Sequence, residues 1–146
     1  MSAPGGRGGT KPRPPEQVSL RPRIDKLGVK PGFRVAIVGV EDPDLLDELR
    51  TRTDEILMYR PRDKRDLIFY AAESLNALEE LAELKKHIVD SGAVWVVSKK
   101  GKERSLNDTD VITAAKRAGL VDNKVVSFSP THTALRLVIP VALRGR

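Results

Sequence analysis

Glu41, Glu73 and His132 have the chemistry of proton transfer, and each stands at the end of an apolar run or in the turn between two such runs. A carboxylate and an imidazole can move protons when both lie within hydrogen-bond reach of a substrate, so these three are the candidate catalytic residues. Around them stand groups suited to holding a polar or anionic ligand: Gly39, Asp42, Ser74, Lys99, Lys100, Thr131, Thr133 and Arg136. Glycine lets backbone N–H groups approach closely, hydroxyls donate and accept, and lysine and arginine bring positive charge. Lys99 joins Glu41, Glu73 and His132 as the positions a reaction here would use first.

The same residues have a plainer account. Asp42 and Ser74 precede helical patterns and suit helix caps, Glu41 is solvated, and the lysines between Ser98 and Arg104 keep a loop soluble. His132 bonds a neighbouring carbonyl, while Ser129, Thr131 and Thr133 satisfy backbone groups in a turn bent by Pro130. Some chemistries are excluded outright. The chain has no cysteine, which removes disulfides, thiolate nucleophiles and cysteine-ligated zinc. As a zinc ligand His132 lacks partners, because the only other histidine, His87, stands at a helix end and there are no thiols, so no metal is expected. The lysine-rich loop lacks P-loop spacing, and no G-x-S-x-G elbow arms a serine.

The elements that must position these residues alternate between strand-length apolar runs and helical patterns, which predicts an α/β fold with helices on both faces of a mostly parallel sheet. Phe33–Val40, Asp66–Ala72 and Ala93–Val97 read as central strands, while Glu55–Tyr59 reads as a short strand or a continuation of the preceding helix, with strand favoured. Asp42 with Pro43 opens a helix whose inward face is Leu45, Leu46 and Leu49. A second helix is predicted over Asn76–Val89, with Asn76 and Glu79 as a capping box, Leu75, Leu78, Leu81, Ala82, Leu84 and Ile88 as its apolar stripe, and Ser91-Gly92 as its stop. A third starts near Asn107 and stops at Gly119. Lys124–Ser129 and Ala134–Val141 are two last strands whose short connection requires an antiparallel return. Trp95, between valines, is a core residue.

The stretch Leu27-Gly28-Val29-Lys30-Pro31-Gly32 followed by Phe33–Gly39 resembles the entry to class I methyltransferases, and the later layout is similar with part of the middle shortened. From about Leu20 to Pro140 the chain resembles a family of small bacterial proteins of unknown function, on Lys26–Gly39, Gly92–Lys100, Ala118–Asn123 and Phe128–Pro140. The resemblance implies a three-layer, Rossmann-like, truncated methyltransferase-like sheet of about five or six strands with a C-terminal antiparallel pair. It also implies a glycine-rich loop after the first strand, of which only Gly39 is present. Glu41 and Pro43 stand where further glycines would be, Ile37 where the strand acid would be, and no ribose-gripping acid stands among Tyr59–Arg62. S-adenosylmethionine is therefore considered unlikely, and no cofactor is predicted.

Charge is concentrated at the front. Of the formal +6, +5 lies up to residue 30, where seven basic residues meet two acids. Half of the ten prolines and four of the eleven glycines fall in residues 1–23, read as a disordered basic tail; residues 24–146 are read as a single Rossmann-like domain. Arg7, Lys11, Arg13, Arg21 and Arg23 are the tail's candidate contacts to nucleic acid or an acidic partner, weak and salt-sensitive. No apolar run is long enough for a signal peptide or a membrane span, so a cytoplasmic chain is expected. Leu135, Leu137 and Ile139, facing outward at a sheet edge, would support a homodimer. The function expected is a non-catalytic binding or regulatory module on a degenerate methyltransferase-like scaffold. The alternatives are a ligand binder or transferase-like enzyme using the strand ends, and weak nucleic-acid binding through the tail.

Overall fold

The computed structural model describes residues 21–144. Arg7, Lys11 and Arg13, and most of the predicted tail with them, lie outside the described residues. The first half contains α1 (Arg23–Lys26), β1 (Val35–Val38), α2 (Pro43–Arg50), β2 (Ile56–Leu57) and β3 (Arg65–Ala71). Then follow α3 (Leu75–Leu78), α4 (Leu81–Lys85), β4 (Ile88–Lys99), α5 (Asp108–Ala118), β5 (Val121–Ser127) and β6 (His132–Val138).

The six strands form one sheet in the order β2-β1-β3-β4-β6-β5. Strands β2, β1, β3 and β4 are mutually parallel, whereas β6 runs antiparallel to both of its neighbours. Residues of alternate parity enter two apolar layers, as the pleat requires. Val35, Ile37, Leu67, Phe69 and Trp95 pack with Ile24 and Leu27 near α1 and with Leu45 and Leu49 of α2. Ala36, Ile68, Val94 and Val96 pack with Leu78, Leu81, Leu84, Val111 and Ala115 of α3, α4 and α5. Helices thus cover both faces, giving the predicted three-layer Rossmann-like architecture and explaining why the central strands are continuously apolar.

Several local expectations need correction. The helix predicted over Asn76–Val89 is two short helices, and the chain is already in β4 at Ile88, which pairs with Arg65. Its cap is Ser74, whose Oγ accepts the Ala77 N–H at 3.1 Å, so Asn76 and Glu79 form no box. Starting earlier turns Leu75 outward, 63% exposed, and Ala82 is exposed too. Gly92 ends no helix. It lies inside β4 against β3, where a Cβ would come within 2.8 Å of the Asp66 carbonyl oxygen. The capping box occurs instead on α5: the Asn107 side chain accepts the Asp110 N–H at 2.8 Å, and Asp110 accepts the Asn107 N–H at 3.0 Å.

Leu135, Leu137 and Ile139 do not face outward at an edge. β6 is enclosed between β4 and β5, and all three are buried in the layer beneath α3–α5. The hairpin loop is short, but the returning strand slots in beside β4 and leaves β5 as the edge, with Val125 exposed. β6 therefore offers no exposed apolar edge on which a second copy could pair.

Candidate functional site

Four connections leave the carboxyl ends of β1, β3 and β4 and the β5–β6 hairpin, and they meet around one cleft of about 560 Å3. Gly39, Glu41, Asp42, Glu73, Lys99, Thr131 and His132 all line it, so seven of the sequence-derived residues converge. Parallel strands end together, which is why residues 90 positions apart in the chain share a rim. Gly39 turns the chain out of β1 with φ of +81°. The nearest atom to a Cβ there would be Ala71 Cβ at an ordinary 3.5 Å, so glycine is required by the backbone and not by space. Gly39→Ala is expected to cost about 1–2 kcal/mol in denaturant unfolding, the strain of a left-handed non-glycine residue.

Asp42 and α2 are tied to the far side of the rim by Arg23. Its guanidinium donates to Glu48 at 2.8 and 3.0 Å, to Asp42 Oδ2 at 2.8 Å and to the Phe128 carbonyl at 2.9 Å. It also lies 4.7 Å from the centre of the Phe128 ring. The other Asp42 oxygen caps α2, accepting the Leu45 N–H at 3.1 Å. Burial alone would raise the Asp42 carboxyl, but the Arg23 and Leu45 hydrogen bonds and the Arg23 charge outweigh it and hold it below the usual carboxylate range. Burial likewise opposes the charge of Arg23, yet its bonds to Glu48 and Asp42 raise it above its ordinary value. Arg23 therefore belongs to the folded domain, and its assignment to the nucleic-acid tail is corrected. With four of its five N–H donors engaged, the guanidinium keeps no bidentate edge for a phosphate backbone.

On the opposite wall, Glu73 accepts the Lys99 N–H at 3.1 Å, while Ser105 Oγ donates to the Glu73 carbonyl. Ser129 Oγ accepts the backbone N–H groups of Thr131 and His132 at 3.3 and 3.1 Å, folding the turn. His132 Nδ1 lies 2.8 Å from Thr131 Oγ1. Glu41 is exposed at the mouth.

The remaining candidates stand elsewhere. Ser74 is a helix cap. Lys100 turns to the hairpin, its Nζ donating to Ser127 Oγ at 2.7 Å. Thr133 is inside β6, paired with Ser98 and Ser127. Arg136 is not a rim residue at all: three positions further along β6, opposite Trp95, it opens into a different cleft at the amino end of the parallel strands. A strand carries its residues away from the rim at about 3.3 Å each, so closeness in sequence to His132 misplaced it. Sequence reasoning missed Arg23, Phe128 and Ser105 as rim residues. Arg23 and Phe128 are 105 positions apart, and no local pattern announces such a contact.

Sheet order, helical layers and a crevice at the strand ends define a class I methyltransferase-like domain. A SAM-dependent methyltransferase from Aquifex aeolicus is similar over 86% of this chain and 89% of its own, with a TM-score of 0.60 and 17% identity. Ribosomal protein L11 methylase from Lactobacillus delbrueckii subsp. bulgaricus has a TM-score of 0.58 and 16% identity, over 80% of this chain and 74% of its own. A putative methyltransferase from Thermoplasma acidophilum has a TM-score of 0.55 and 9% identity, over 82% and 74%. At these identities the likeness is one of fold. The chain itself belongs to the DUF3052 family of proteins of unknown function, whose sequence profile matches residues 25–141. No curated protein matches it.

Proposed function

We propose that this protein is a non-catalytic binding module on a methyltransferase-like scaffold, whose strand-end cleft has lost the means to hold S-adenosylmethionine. The observation that carries this reading is the Arg23 fork, which joins α1, α2 and the β5–β6 hairpin through Asp42 and Phe128, two residues of the cleft wall. Two further features support it. The loop after β1 presents Glu41 and a Pro43 without N–H, where an incoming carboxylate needs glycine and free donors. β2 ends with Leu57 beside Ala36, while β1 continues to Val38, so no residue of β2 reaches the rim to grip a ribose.

The fold neighbours make S-adenosylmethionine the first ligand to test. A ligand at about 100 times its dissociation constant raises stability by about 2.7 kcal/mol. The expected result is no shift in melting temperature at millimolar S-adenosylmethionine and no saturable heat in calorimetry. Saturable binding would refute the reading. A second reading, a small-ligand binder or transferase-like enzyme, is favoured by the cleft itself, where Glu41, Lys99 and His132 share one wall-to-wall space. A positive nucleotide or acyl phosphate in the same melting screen, abolished by Lys99→Ala, would support it instead.

Among the described residues no helix is long and apolar enough to cross a membrane. A cytoplasmic location and weak polyanion binding by Arg7, Lys11, Arg13 and Arg21 remain part of the proposal, the latter resting on the charge of the first 30 residues.

A further inference from the structure

At the amino end of the sheet, opposite the rim, a second cleft of about 460 Å3 lies between the α1–β1 connection and the starts of β3 and β5. Lys26, Lys30, Lys124 and Arg136 line it against a single carboxylate, Asp66. Asp66 Oδ2 already accepts the Arg34 N–H at 2.8 Å. Lys124 Nζ donates to the Lys26 carbonyl at 2.9 Å, which holds β5 to the end of α1 and gathers the lysines on one side.

Arg136 is the anomaly. It is half-buried, and its guanidinium has no hydrogen-bond or ion-pair partner among the described residues. Burial, aided by the like charge of Arg144, lowers its pKa below the ordinary value. A lysine or histidine in that position could shed its proton, but a guanidinium stays charged and keeps the full desolvation penalty. A half-buried fork of unused donors calls for an oxyanion.

Both irregularities of the sheet border this cleft. Between Arg65 and Leu67 the partner on β4 jumps from Ile88 to Ala93, and the extruded segment presents Ser91 to the cleft. Between Asp122 and Lys124 one extra residue, Asn123, bulges from β5 and lines the same space. Bulges re-aim side chains and recur beside sites.

We propose that this cleft is a phosphate site, in which Arg136 and the three lysines hold the terminal phosphate of a small phosphorylated ligand. Four cations against one carboxylate match a dianionic phosphate monoester better than a single carboxylate. The volume falls within the range of about 300–1,000 Å3 usual for small-molecule sites.

The test titrates the full chain at low ionic strength with inorganic phosphate and, separately, with ribose 5-phosphate, against sodium chloride of matched ionic strength. The expected result is saturable binding of at least one, weakened about tenfold or more by Arg136→Gln, as loss of one charge-assisted bond implies. Tighter binding of ribose 5-phosphate would assign the site to an ester, and equal binding to the free ion. Arg136→Gln should also melt no lower than wild type in chloride, because an uncompensated charge has gone. Should that variant fail to fold, Lys30→Gln/Lys124→Gln, two exposed positions, carries the same expectation of weakened binding. Undiminished affinity in the variants, an equal response to chloride, or no binding of either phosphate would overturn the proposal. So would duplex DNA binding through these residues while both small phosphates leave the protein unchanged.

Discussion

Trp95→Ala is expected to lower the free energy of unfolding by about 3–5 kcal/mol, the usual loss when a large buried aromatic is truncated. Trp95 is fully buried in β4 with Phe69 opposite it on β3. Its indole Nε1–H donates to the Leu27 carbonyl at 3.2 Å, so the ring also fastens the segment after α1 to the sheet. Truncation leaves a cavity and strips a buried carbonyl of its partner, and each adds to the loss. Trp95→Phe separates the two terms: it fills most of the volume and is expected to lose about 1–3 kcal/mol, the cost of the orphaned acceptor and the smaller ring. Because Trp95 is the only tryptophan, unfolding should be followed by circular dichroism in denaturant. A loss below about 1 kcal/mol for Trp95→Ala would mean that the α1 segment does not depend on this anchor.

Arg23→Ala is expected to cost about 2–3 kcal/mol, less than the roughly 3–5 of a fully buried pair because Glu48 keeps some access to water. The side chains of Arg23 and Asp42 are 15% and 19% exposed, and that of Glu48 33%. Removing the guanidinium leaves two carboxylates facing each other and the Phe128 carbonyl unpaired. The pH dependence gives a sharper signature. Asp42 has a lowered folded pKa, so its stabilisation is complete above the ordinary value of 3.8 and disappears as pH falls through the folded value. Wild type should therefore lose stability as pH falls below about 4 through this group, and Arg23→Ala should lose less over the same interval. Parallel stability–pH curves for the two proteins would show that Arg23 does not set the Asp42 titration. The same variant bears on the rim: if the fork is what closes it, Arg23→Ala is the protein in which an anionic ligand has the best chance of entering beside Gly39.

The binding reading and the phosphate cleft stand at opposite ends of the sheet and can fail separately. S-adenosylmethionine tests the carboxyl end, through Gly39 and Glu41; phosphate tests the amino end, through Arg136. An answer at one end leaves the other untouched, since no residue lines both clefts.

Much of this architecture was legible in the chain because it follows from local rules. Uninterrupted apolar runs such as Val35–Val38 and Ala93–Val97 announce strands covered on both faces. Asp42 before Pro43 and Asn107 before Asp108 announce helix starts, since a cap needs only its own side chain and the next three N–H groups. From alternating strands and helices the convergence of Glu41, Glu73, Lys99 and His132 on one rim also follows, because parallel strands carry their ends to the same side. What could not be read was decided by partners distant in sequence. Gly92 looked like a helix stop until β3 came close enough to forbid a Cβ. Leu135 and Leu137 looked like an exposed edge until β6 inserted beside β4. Arg23 looked like one more charge in a basic tail, yet its acceptors lie 19, 25 and 105 positions away. Arg136 looked like a rim residue, and the register of β6 put it at the other end of the sheet. Local sequence determines which backbone a segment prefers and which face is apolar; which charge meets which acceptor depends on strand order and register, and those exist only once the layers have packed.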